Sequence, residues 1–169
     1  MIAELLVVFV MPGLLAAAAG WDLASYTIPN FLSLALVGAF AVFALAIGMT
    51  PGTIGMHVLA GVLALAVGFT LFARGYIGGG DAKLFGAVVL WLGFRNLLDF
   101  AFLVSLFGGA LALLLLSLRR WPLPAALMGQ SWLVRLHDSR SGIPYGIALA
   151  AGALMVFPQT IWFARLAGW

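Results

Sequence analysis

The sequence predicts an all-α membrane protein, a polytopic bundle of six transmembrane helices with its N-terminus outside. Three observations lead there. Hydrophobic residues fill 65% of the 169 positions and charged residues only 8%, against roughly 25% charged in a soluble domain. Apolar runs of about 20 residues, long enough to cross a bilayer, recur along the chain. The helix-breaking residues fall between those runs. Only a helix satisfies its own backbone in lipid, so each run reads as a helix. Residues 1–169 read as a single integral-membrane domain.

The first run covers residues 2–20. It opens Met1-Ile2-Ala3-Glu4 without the positive charge of a secretory signal, so it reads as a retained helix. The second, 31–49, follows Pro29. The third, 54–73, follows Pro51-Gly52. The fourth, 83–98, follows the glycines between Gly75 and Gly80, and its clean apolar part, Leu84 to Phe94, is short. The fifth, 100–118, follows a polar turn from Arg95 to Asp99. The sixth, 144–164, follows a longer connector from Arg119 to Gly142. Within that connector Leu127, Met128, Trp132, Leu133 and Leu136 suit one face of a short interfacial helix. Ala16 with Gly20, Gly48 with Gly52 and Gly142 with Gly146 have the spacing that lets helices approach closely, though 21 glycines produce such pairs by chance.

Orientation follows from Lys and Arg, which collect on the cytoplasmic side. With the N-terminus outside, Arg74, Lys83, Arg119, Arg120, Arg135 and Arg140 lie inside, and only Arg95 and Arg165 lie outside. Counting crossings then brings Asp22, at the end of the first span, and Asp81, at the start of the fourth, to the same cytoplasmic face.

The net charge of +3 comes with no basic cluster on a soluble surface, which excludes nucleic-acid binding. The absence of cysteine excludes disulfides, zinc–thiolate sites and a cysteine nucleophile. No His/Asp/Glu cluster has metal-ligand spacing, so no cofactor is expected. Ser25, Ser105 and Ser117 lack a nearby base. His57 reads as a satisfied helix histidine, and His137 with Asp138 as a solvated turn.

What remains is acidic. Only five carboxylates occur in the chain, and Asp22 and Asp81 each flank a long apolar run. Charge at a membrane helix end is costly and usually functional. Two such acids side by side could share a proton and activate water. Asp81 closes Gly78-Gly79-Gly80-Asp81, where it can cap a helix and where the glycines let a substrate strand approach. Asp22 sits at a negative helix end, which favours its protonated form. Asp81 sits at a positive end with Lys83 nearby, which favours its ionised form. On this reading Asp22 is the resting acid and Asp81 the resting base.

Three runs occur in order on this chain: Asp22 with Ile28-Pro29-Asn30, then Gly78-Gly79-Gly80-Asp81-Ala82-Lys83, then Ile143-Pro144-Tyr145-Gly146. Together they resemble the prepilin peptidases, the Gly-x-Gly-Asp intramembrane aspartyl proteases, over essentially the whole chain. The length resembles the short TadV/CpaA-like form of Flp (tight-adherence) pilus assembly. The resemblance implies that Asp22 and Asp81 are the catalytic pair, with Gly78, Gly79, Gly80 and Lys83 supporting the site or the approach of substrate. It implies a bacterial inner-membrane protein. The substrate would be a type IV-like prepilin with a single apolar helix and a short cytoplasmic leader, cut after a glycine. The lipid bilayer and the pilus-assembly machinery would be its other partners. Longer relatives also methylate the new N-terminus and carry a cysteine-rich insert; this chain has neither cysteine nor insert. Tyr26 and Thr27 stand where relatives often carry arginine. A proton- or cation-conducting transporter using the paired acids is the alternative from another class.

Overall fold

The computed structural model describes residues 2–166, and no strand occurs among them. The helices are α1 (Ile2–Ser25), α2 (Asn30–Ala46), α3 (Pro51–Ala73), α4 (Gly79–Leu92), α5 (Leu97–Leu118), α6 (Ser131–His137), α7 (Tyr145–Val156) and α8 (Ile161–Leu166). Short 3-10 turns occupy Ala125–Leu127 and Phe157–Gln159. Among the described residues three helices are long and apolar enough to cross a membrane: α1 from Leu6, α3 and α5. At 14 residues, α4 is only about 21 Å long, shorter than a hydrocarbon core of about 30 Å.

Local chemistry sets the helix ends. α1 stops where Tyr26 turns left-handed at φ 56°, its N–H returning to the Asp22 carbonyl at 2.7 Å. This is the single-bond αL stop, here without the usual glycine. Pro29 holds φ at −60° and passes the chain into α2. Thr50 caps α3, its hydroxyl accepting the Thr53 N–H, and Pro51 follows in the first turn. α4 ends earlier than the apolar run does, at Gly93 with φ +69°. The last apolar run is broken in two: Pro158 falls in the 3-10 turn between α7 and α8, where its ring cannot continue an α-helix.

The central element is α4, with nine of its residues buried. It packs against α2, α3 and α7, most extensively against α3. That contact is a backbone-to-backbone approach through small residues. A Cβ on Gly61 would lie 2.9 Å from Leu90 Cβ, one on Gly86 2.8 Å from Leu65 Cβ, and one on Gly68 3.1 Å from Ala82 Cα. Of the four-residue pairs singled out in the sequence none is used as a pair, and among their glycines only Gly146 makes a close approach, to Asp22 and Ile28. A side chain on Gly20, Gly48, Gly52 or Gly142 would meet nothing within 4 Å. Spacing shows that small residues share a face, and packing alone shows which face is covered.

The bundle is closed at the far end of α4 by aromatic packing. Trp91 donates to the Leu36 carbonyl at 2.9 Å and Trp162 to the Trp91 carbonyl at 2.7 Å. Their rings lie 4.7 Å apart. His57 is buried beside them, its Nδ1 2.9 Å from the Leu90 carbonyl oxygen and its ring stacked on Phe40. It is the satisfied helix histidine expected from the sequence.

Candidate functional site

Asp22 stands in the last turn of α1 and is 5% exposed. Its Oδ2 accepts the Gly146 N–H at 2.7 Å. Gly146 is the second residue of α7, so that N–H is one of the donors a helix start leaves unpaired. Asp22 therefore satisfies the N-terminus of α7 while ending α1. The positive end of one helix offsets the negative end of the other, which the sequence reading, limited to Asp22's own helix, did not include.

Asp81 stands in the first turn of α4, outside the three long spans, and is partly buried. It does not occupy the N-cap position. From the third helical position its Oδ2 reaches back to accept the Gly78 N–H at 3.2 Å. A Cβ on Gly78 would come within 2.9 Å of that oxygen, so a side chain there would push the carboxylate aside.

Ile28 joins the two acids' surroundings. It is buried, and it lies 3.1 Å from the Cβ position of Gly80 on one side and 3.0 Å from that of Gly146 on the other. The Ile-Pro-Asn run, the glycine run and the late Pro-Tyr-Gly run thus meet around one side chain. A Cβ on Gly79 would press on the Phe72 ring at 3.2 Å. Asp22 and Asp81 lie close enough for one charge to act on the other. Burial first, then the Asp22 charge, pushes the Asp81 carboxyl up to about 6, against the opposing Gly78 N–H.

Lys83 departs from the expected arrangement. Two residues beyond Asp81 is roughly 200° around a helix, and its Nζ donates to Asn30 Oδ1 at 2.8 Å on α2. The lysine therefore turns away from Asp81 instead of stabilising its charge. Burial and the Asp22 charge, which raise Asp81 to about 6, shift it toward the protonated form, while the helix end and the Gly78 N–H still favour its charge.

Two arginines fasten the connector over the Asp22 end. Arg135 donates to the Ser25 carbonyl at 3.1 Å, a cation on the free carbonyls ending α1. Arg119 donates to the carbonyls of Leu136 at 2.9 Å and Gly142 at 3.0 Å. The apolar face expected across the connector is not formed in one piece. A 3-10 turn and the seven-residue α6 replace it, and α6 has no buried residue. Asp138 begins the expected solvated turn, its Oδ1 accepting the Arg140 N–H at 2.9 Å, whereas His137 is the half-buried last residue of α6. Sequence reasoning treated these arginines only as topological charges; it gave Gly146 only a helix-approach spacing and assigned no role to Ile28. The late Ile143-Pro144-Tyr145-Gly146 run was the available signal for Gly146.

The apolar helices and the paired acids define a multi-pass membrane protein with two carboxylates gathered at one end of its bundle. A family model described as the type IV leader peptidase family matches residues 9–113, a stretch that includes Asp22 and Asp81. The chain belongs to the type IV leader peptidase family. Membership makes it a prepilin-peptidase-type protease, embedded in a membrane and acting on a prepilin. The curated proteins gave no match, and neither did the solved structures.

Proposed function

We propose that this chain is an aspartyl endopeptidase that removes the short cytoplasmic leader of a type IV-like, Flp-class prepilin without methylating the product. One observation carries the reading: Asp22 and Asp81, far apart in sequence, are drawn to one place around Ile28, which packs on Gly80 beside Asp81 and on Gly146, whose N–H binds Asp22. On this reading each acid has its own role. Asp81 holds the proton and donates it to the oxygen of the scissile carbonyl. Asp22, oriented by the Gly146 N–H, takes a proton from a water that attacks the same carbon. Collapse of the tetrahedral species returns a proton to Asp81 and breaks the C–N bond. The proton held on Asp22 passes to the leaving amine. Water is divided between the two products, and no covalent enzyme intermediate forms.

On this reading the chain crosses the inner membrane six times with its N-terminus outside, and both acids face the cytoplasm. The substrate's single apolar helix stays in the bilayer while its leader reaches the pair beside Gly78, Gly79 and Gly80. The pilus-assembly machinery receives the processed product. The acids gather at one end of α1 and α4, whereas a transporter would more often hold them near the middle of its spans.

The test is co-expression with a Flp-type prepilin. Wild type should release the leader-shortened product, and Asp22→Asn and Asp81→Asn should not, at equal membrane levels. Cleavage persisting in either variant removes that aspartate from catalysis. An uncleaved substrate with wild type, combined with ion flux that both variants lose, would favour the transporter.

A further inference from the structure

On the side of α4 away from Asp81, α2 and α3 both pack on α4 and leave an open groove of about 680 Å³ between them. Val37 and Ala41 line one wall, Val58 and Val62 the other, and Ala87 and Leu90 the floor. Polar side chains appear only at the end nearest the paired acids: Asn30, Ser33 and Lys83. There the Lys83 ammonium rests on the neutral Asn30 Oδ1 at 2.8 Å, half-buried beside an apolar trough.

We propose that this groove seats one acyl chain of an anionic phospholipid, with Lys83 binding its headgroup phosphate. Size selects the occupant. A helix of about 18 residues is a cylinder on the order of 2,000 Å³, several times the groove. A methylene fills about the room of a liquid water, roughly 30 Å³, so a chain of about 16 carbons needs roughly 500 Å³. Length agrees. From Asn30 to Leu45 along α2 is about 22 Å, which carries a chain past the middle of a hydrocarbon core of about 30 Å. Charge selects the headgroup. A lysine stem lies along apolar surface while its ammonium reaches the headgroup level. An anionic phosphate there gains a charged partner, and a zwitterionic headgroup brings its own cation to the same place. The groove and the acid pair occupy opposite faces of α4, so this site is separate from the peptidase site.

The experiment is native mass spectrometry of the full chain released from nanodiscs made of equal parts phosphatidylglycerol and phosphatidylcholine with identical acyl chains. Wild type should retain one lipid, with phosphatidylglycerol preferred about fivefold, the effect of one cation near a headgroup. Lys83→Arg should keep the preference and Lys83→Gln should bring it to parity. Ala41→Trp, which fills the groove from α2, should abolish retention of both lipids. Parity in wild type, or an undiminished preference in Lys83→Gln, overturns the headgroup assignment. A lipid-free dimer that Ala41→Trp splits would overturn the proposal and make the groove a subunit interface.

Discussion

Asp81 carries the most specific consequences at the scale of single residues. A carboxyl with an ordinary value of 3.8 that stands at about 6 in the fold binds more protons folded than unfolded. Stability therefore falls as pH rises between those two values, and the loss is complete above about 6. Asp81→Asn should melt at higher temperature than wild type above about pH 6, and the difference should vanish below the ordinary carboxyl range, as a thermal scan across pH would show. In the wild-type enzyme kcat/KM should fall as pH rises through about 6, because the acid form of Asp81 is lost. The pair titrates as a unit, so that limb belongs to both carboxylates. Gly146 offers a sharper probe of position. A Cβ there would lie 2.9 Å from Asp22 Oδ2 and 3.0 Å from Ile28 Cδ1. Gly146→Ala should displace the carboxylate and lower kcat by about 100-fold, with the chain still inserted and folded. Normal turnover by that variant would show that the Gly146 N–H does not orient the acid.

Among the elements, the α3–α4 pair holds Asp81 in place. Gly86 faces Leu65, and a methyl group added there would overlap Leu65 Cβ at 2.8 Å. Gly86→Ala should cost about 1–3 kcal/mol by forcing the helices apart, measured as a lowered unfolding midpoint in detergent. Gly109→Ala is the matched control, because its Cβ would meet nothing within 4 Å. The helices themselves were largely legible. The runs at 2–20, 31–49, 54–73 and 100–118 correspond to α1, α2, α3 and α5 within a few residues. The fourth and sixth runs were overextended, since hydropathy continues through Gly93 and Pro158 while backbone geometry does not. In the connector, side-chain pattern suggested one helix, but Gly129 and Gln130 interrupt it. Arg135 now gives that segment a purpose. Arg135→Ala should free α6 from the Ser25 carbonyl, cost about 0.3–1 kcal/mol as a lost helix C-terminal cation, and hasten proteolysis between Arg119 and Gly142.

In the whole molecule, reactive and structural ends are separated along α4. The acids gather at its start, and Trp91, about 15 Å further on, anchors the aromatic cluster. Trp162 is buried there, and its Nε1 hydrogen bond to the Trp91 carbonyl ties α8 to the centre of the bundle. Trp162→Phe leaves a buried carbonyl unpaired and should cost about 1–3 kcal/mol. The measurement is a lowered melting temperature with unchanged kcat per folded molecule. A fall in kcat without loss of stability would show that the two ends are coupled.

By itself the sequence determined the all-helical membrane class and the acids available for chemistry. Both are local properties: transfer of an apolar run into lipid depends on that run alone, and a lone carboxylate at its end is costly wherever the rest of the chain lies. Only the tertiary structure decided which glycines became helix contacts, that Lys83 turns to Asn30, and that the Gly146 N–H meets Asp22. Those outcomes depend on the rotation of each helix about its axis and on donors contributed by distant segments. Hydropathy is nearly the same on every face of these helices, so it could not specify either.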